Sequence, residues 1–177
     1  MILKSHIKGV RIHPIQKHED DRGELSELFR NQWFDESHPV QWNYVKSNPH
    51  VLRGFHVHHT HTDHLMLVEG SMQLALKDLR RESPSKYQSE VFNISGKERY
   101  LITIPPGVGH GFYFSTHSTH IYSVSEYWNK NDELGCLWND QDLDISWALT
   151  SDTPPLLSEQ DIEAQSYKDL LEQLYSI

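Results

Sequence analysis

From Gly9 to Leu157 the apolar residues come in short runs or alternate with polar ones, and turn signals separate the runs. Alternation with a period of two is the mark of a half-buried strand, and many short strands in succession mark an all-β sandwich or barrel rather than βαβ units. The clearest predicted strands are Leu65–Val68, Met72–Leu76, Tyr100–Ile104, Gly111–Phe114 and Ile121–Tyr127. Glu69-Gly70, Glu82-Ser83-Pro84, Ser95-Gly96 and Pro105-Pro106-Gly107 punctuate them. Closing such strands into a barrel removes exposed edges and leaves a mouth for a ligand.

Only the tail carries a helical period. Ser158 is placed to cap, and Ile162, Tyr167, Leu170, Leu171 and Leu174 fall on one face of a helix packed outside the barrel. The expected organisation is one domain over residues 1–177, with a barrel at about 20–150 and a helical tail at about 158–175.

Composition narrows the classes. With 37% hydrophobic residues, five Trp and eight Tyr, the chain has the means to build a core. A formal charge of −9 argues against nucleic acid or an anionic membrane as partner, because such surfaces are bound through clustered Lys and Arg. Cys136 stands alone, which excludes an internal disulfide. The opening MILKSHIKGVRIHP lacks the apolar run of a signal peptide, and no stretch approaches a membrane span, so the expected location is cytoplasmic.

Five of thirteen histidines crowd into residues 56–64, where His56, His58, His59, His61 and His64 precede an alternating strand. If His56 and His58 share one strand face, both imidazoles point inward, where they suit a metal or proton transfer. His59, His61 and His64 read more simply as a polar, solvated turn. The spacing His56-x-His58-x4-Asp63-x6-Gly70, followed by Pro105-x-Gly107-x2-His110, is that of a cupin metal motif with Asp for the usual Glu. His56, His58, Asp63 and His110 are therefore an alternative ligand set for a divalent transition metal.

Several segments, in order along the chain, carry a wider resemblance. They are Asp21-Arg22-Gly23, Gln41-x-Asn43, Val51-Leu52-Arg53-Gly54-Phe55-His56, Asp78-Leu79-Arg80 with Ser83-Pro84, Ile104-Pro105-Pro106-Gly107 with His110-Gly111-Phe112, Tyr122 with Glu126-Tyr127, Leu137-Trp138-Asn139-Asp140 and Leu157-Ser158-x-x-Asp161. Together they resemble the dTDP-4-dehydrorhamnose 3,5-epimerase family. The resemblance implies an all-β double-stranded β-helix of the cupin type, a homodimer, no cofactor, and a nucleotide-diphosphate sugar as substrate. It implies that His56 is the base beside a keto group, that Asp161 orients it, and that Tyr122 returns a proton from the opposite face. Arg22 and Arg53 match diphosphate-binding arginines, and Glu27, Gln41, Asn43 and His110 match positions lining the pocket. Ser158 to Asp161 also reads as a capping box, a role compatible with the first.

The resemblance breaks at Asp63, where the family carries a lysine thought to stabilise enolate charge. An ionised aspartate would repel that charge. A metal there would polarise the ketone instead, but a metal bound by His56 would remove it as a base. Three other readings stay open beside the epimerase: a sugar 3,4-ketoisomerase, a metal-dependent cupin, and a non-catalytic sugar-binding relative.

Overall fold

The computed structural model describes residues 3–34 and 38–176. Two five-stranded antiparallel sheets form the double-stranded β-helix. The first sheet runs β1 (Arg11–Pro14), β9 (Tyr100–Ile104), β6 (Asp63–Glu69), β11 (Ser118–Val124) and β4 (Gln41–Ser47). The second runs β12 (Leu134–Gly135), β5 (Val51–Val57), β10 (Val108–Phe114), β7 (Ser71–Asp78) and β8 (Ser89–Ser95). A separate hairpin joins β2 (Lys17–Asp20) to β3 (Gly23–Ser26).

The period of two sorts the core. On β7, Leu74 and Leu76 point between the sheets, where they pack with Leu65, Leu67, Ile102 and Phe114. Ala75, between them, faces outward and is covered by the C-terminal segment through Leu143, Tyr167 and Leu170. A strand with both faces covered is apolar almost throughout, and β7 is buried from Met72 to Asp78.

Three expectations change. Barrel pairing begins at β1, before residue 20, because Arg11–Pro14 closes the free edge of β9. The strand expected to run from Ile121 to Tyr127 spans Ser118–Val124, and Tyr127 is 75% exposed beyond its end. The tail holds two helices, α1 (Glu159–Ile162) and α2 (Tyr167–Ser176). Ser166 accepts from the Asp169 N–H at 3.2 Å and starts the second helix, which leaves Ile162 exposed on the first.

The Asp78-Leu79-Arg80…Ser83-Pro84 segment is structural. The fully buried Asp78 carboxylate accepts from Arg80 Nε at 2.8 Å, Arg80 Nη2 at 2.7 Å, Ser85 Oγ at 2.6 Å and the Ser83 hydroxyl. Burial pushes this carboxyl up, but the four donors outweigh it and bring the pKa down to about 2. A folded-state pKa below the ordinary value of 3.8 gives stability that is present above pH 3.8 and is lost as pH falls towards 2. Urea unfolding is expected to lose about 2 kcal/mol from this group across that window. Asp78→Asn should flatten the profile there, and an unchanged slope in the variant would exclude the cage as its source.

No helix among the described residues is long and apolar enough to cross a membrane.

Candidate active site

The two sheets enclose a cavity of about 500 Å³ with a polar floor. Arg53 and His56 both line it, although strict alternation along β5 would send an odd and an even position to opposite faces. The pairing explains this: Arg53 lies opposite Phe112 and His56 opposite His110, so β5 takes three steps where β10 takes two. Gly54 makes the irregularity possible with φ of 109°, and a Cβ there would stand 2.9 Å from the His110 carbonyl oxygen.

His56 Nε2 donates to Asp161 Oδ1 at 2.7 Å. Asp161 opens α1, where its backbone N–H donates to Ser158 Oγ at 3.1 Å and its Oδ2 accepts from the same hydroxyl at 2.7 Å. Capping and histidine orientation thus coexist, each using a different carboxylate oxygen. Burial raises the Asp161 carboxyl, but the His56 bond, the Ser158 hydroxyl and the Gly54 N–H outweigh it and hold the pKa below the ordinary value. The ionised carboxylate accepts the His56 proton on Nε2, so that in the neutral ring the lone pair is on Nδ1.

Tyr122 stands on β11 of the opposing sheet and lines the same cavity. Burial, followed by the negative charges of Asp63 and Glu133, raises its phenol pKa, so the hydroxyl keeps its proton. Gln41 and Asn43 alternate inward on β4 and are joined by a 3.1 Å bond from Gln41 Nε2 to Asn43 Oδ1. Arg53 Nε donates to Ser47 Oγ at 3.2 Å.

The floor is built by His58, His61, Asp63 and His110, all buried. Burial raises the Asp63 carboxyl well above its ordinary value, helped by the charges of Glu133 and Asp132. Burial lowers His58, His110 and His61, the last to about 4. Of the expected metal ligands, His58, Asp63 and His110 converge, whereas Nε2 of His56 is engaged by Asp161.

Arg22 and Glu27 lie outside this cavity. Arg22 is at the tip of the β2–β3 hairpin, 90% exposed and paired with Asp20, while Glu27 pairs with Arg30. The hairpin's strands pair only with each other, so nothing in the sheet ladder draws it over the barrel mouth.

Two residues of the site were not singled out from the sequence. His61 belongs to the floor rather than to a solvated turn, held by Asp132 Oδ2 at 3.0 Å. His120 lines the wall near Arg53, and burial, then that positive charge, pushes it down to about 4. The signal for His120 was its alternation with Tyr122, two residues on.

A family profile described as dTDP-4-dehydrorhamnose 3,5-epimerase matches residues 4–169. The spore coat polysaccharide biosynthesis protein SpsL of Bacillus subtilis is 33% identical over 145 residues, covering 80% of this chain and 96% of SpsL. The dTDP-4-dehydrorhamnose 3,5-epimerase of Shigella flexneri is 30% identical over 177 residues, covering 95% of this chain and 96% of its own. Among solved structures, the dTDP-6-deoxy-D-glucose-3,5-epimerase of Legionella pneumophila, in complex with dTDP-4-keto-L-rhamnose, superposes with a TM-score of 0.84 at 27% identity, covering 96% of each chain. ChmJ of Streptomyces bikiniensis, a 3'-monoepimerase in complex with dTDP-quinovose, gives 0.85 at 25% identity, covering 97% of this chain and 89% of its own. With the fold, the ordered motifs and the matched span in agreement, this chain belongs to the dTDP-4-dehydrorhamnose 3,5-epimerase family.

Proposed function

We propose that the protein is an isomerase that epimerises C3, C5 or both in a dTDP-linked 4-keto-6-deoxy sugar, feeding synthesis of a surface polysaccharide. The observation that carries this reading is the Asp161-oriented His56 on one sheet facing Tyr122 on the other across a single cavity. A C–H beside a ketone is weakly acidic, so its removal needs a positioned base, and inversion needs an acid on the other face of the ring. His56 Nδ1 takes the proton, Asp161 stabilises the resulting imidazolium as a positioning residue, and Tyr122 delivers a proton from the opposite side. Arg53 supplies a guanidinium fork for the diphosphate within an otherwise acidic protein. The sugar nucleotides bound by the Legionella enzyme and by ChmJ support this substrate class.

The reading extends to a homodimer. Leu25 and Phe29, on and beside the hairpin, and Trp42 and Tyr44 on the outer face of β4 leave large apolar side chains exposed. A two-stranded hairpin is marginally stable alone and gains from a second surface. Docked on a partner, it would carry Arg22 and Glu27 to the partner's cavity. Sedimentation at the monomer mass of 20.7 kDa under assay conditions would exclude this arrangement.

The function is tested by incubating the protein with dTDP-4-keto-6-deoxyglucose in deuterium oxide. Deuterium is expected at C3, C5 or both, with an epimerised product and no redox change. A keto group moved to C3 would identify a ketoisomerase instead. Nucleotide binding without any exchange would identify a binding protein.

A further inference from the structure

We infer that His58, Asp63 and His110 form a divalent transition-metal site in the cavity floor, with His61 beside it as a further donor and His56 outside it. The hydrogen bonds on the far side of each ring carry the argument. His58 Nδ1 donates to the Asp132 carbonyl at 3.0 Å, His61 Nδ1 to the Asp132 carboxylate at 3.0 Å, and His110 Nδ1 to the Val108 carbonyl at 3.4 Å. These partners only accept, so each ring proton sits on Nδ1 and each Nε2 presents a bare lone pair. All three Nε2 atoms face Asp63 Oδ2, at 3.8, 3.7 and 4.0 Å for His58, His61 and His110.

The His58 and His110 lone pairs and an Asp63 oxygen thus converge with no ring hydrogen between them, with the His61 lone pair 3.7 Å from the same oxygen, an arrangement whose mutual repulsion a cation among them would relieve. A proton on Asp63 would bridge one histidine at most, and at 3.7, 3.8 and 4.0 Å all three separations are too long for a hydrogen bond. Two donors each about 2.1 Å from one ion lie about 3.0–3.4 Å apart for octahedral or tetrahedral angles, so drawing the histidines in towards Asp63 by roughly 0.3–1 Å would close the site. Imidazole nitrogens with one carboxylate suit zinc, iron, cobalt, nickel or manganese better than calcium or magnesium. Histidines tied back through Nδ1 to carbonyls and a carboxylate have the outer hydrogen bonds that orient ligating imidazoles.

This site removes the conflict between base and ligand, because His56 turns to Asp161 while its neighbours turn to Asp63. The catalytic role of the ion rests on the proposed function. When His56 takes the carbon-bound proton, the C–H electron pair becomes the C=C of the enolate and the carbonyl pair moves onto oxygen. That oxygen needs a positive partner, and Arg53 is the only Lys or Arg among the described lining residues. A Lewis acid with an open position in the floor supplies the charge, and the proton returned by Tyr122 restores the ketone.

The test measures metal apart from turnover. The protein is purified without chelator and analysed for elements, then stripped by dialysis and titrated with Co(II), whose visible absorption reports nitrogen and oxygen ligands. One equivalent is expected in the wild type and in His56→Asn. Asp63→Asn and His110→Ala, checked for folding by circular dichroism, are expected to weaken Co(II) binding by more than the roughly 10–100-fold typical of losing an outer partner. Failure of the wild type to bind Co(II), or equal binding by Asp63→Asn, would overturn the site. Full-rate exchange by metal-free protein would overturn its catalytic role and leave the proposed epimerase standing. Metal bound without exchange would support the site while removing the epimerase.

Discussion

His56→Asn is expected to slow deuterium exchange at the sugar carbons by about 10²–10⁴-fold, the usual contribution of a positioned general base. The loss corresponds to about 3–5 kcal/mol in the barrel's transition-state stabilisation. Asparagine is too short to reach Asp161 Oδ1, which lies 2.7 Å from His56 Nε2, but the capping box is made by the Asp161 N–H and its other oxygen with Ser158, so it should survive and the fold with it. What disappears is the imidazole nitrogen that would take the proton. Exchange is best followed by proton NMR of the dTDP-sugar, beside a thermal melt that confirms a folded variant. Exchange within threefold of the wild type would remove His56 from the base role. A folded, metal-replete variant that exchanges no proton would separate the chemistry at His56 from the floor below it.

How much of this was legible in the sequence follows from which physical rule placed each residue. Leu74 and Leu76 were readable as inward because β7 keeps its period of two without interruption. Asp161 was readable twice, as a capping-box residue and as a motif match, and the two roles use separate oxygens. Arg53 and His56 share the cavity only because β5 is bulged against β10, a feature of pairing that no single-strand pattern contains. His61 looked like a solvated loop residue because its partner, Asp132, lies 71 positions away. The break between α1 and α2 was missed although Ser166 and Asp169 repeat the spacing of Ser158 and Asp161. Arg22 and Glu27 matched the family's positions, yet both lie outside the cavity of this chain, Arg22 paired with Asp20 and Glu27 with Arg30, because no strand pairing ties the hairpin to the barrel.

Tyr122→Phe is expected to separate exchange from inversion. The phenol on β11 keeps its proton because burial and the charges of Asp63 and Glu133 oppose its ionisation, so it is held ready as a donor. Phenylalanine preserves the ring that packs at the edge of the main core and removes only the hydroxyl. His56 still takes the carbon-bound proton, and at 23% side-chain exposure its imidazolium exchanges that proton with solvent before returning it. Return from His56 restores the original configuration, so deuterium enters without epimerisation. The expected result is exchange within a few-fold of the wild type and an inverted product reduced by about 10²-fold, the lower end for loss of a positioned acid. Both quantities come from one NMR time course, and their ratio is insensitive to the amount of active protein. A variant that inverts as fast as it exchanges would exclude Tyr122 as the donor. A parallel fall in both would instead mean that the hydroxyl serves substrate positioning, since only a proton donor acts after the bond to carbon has broken.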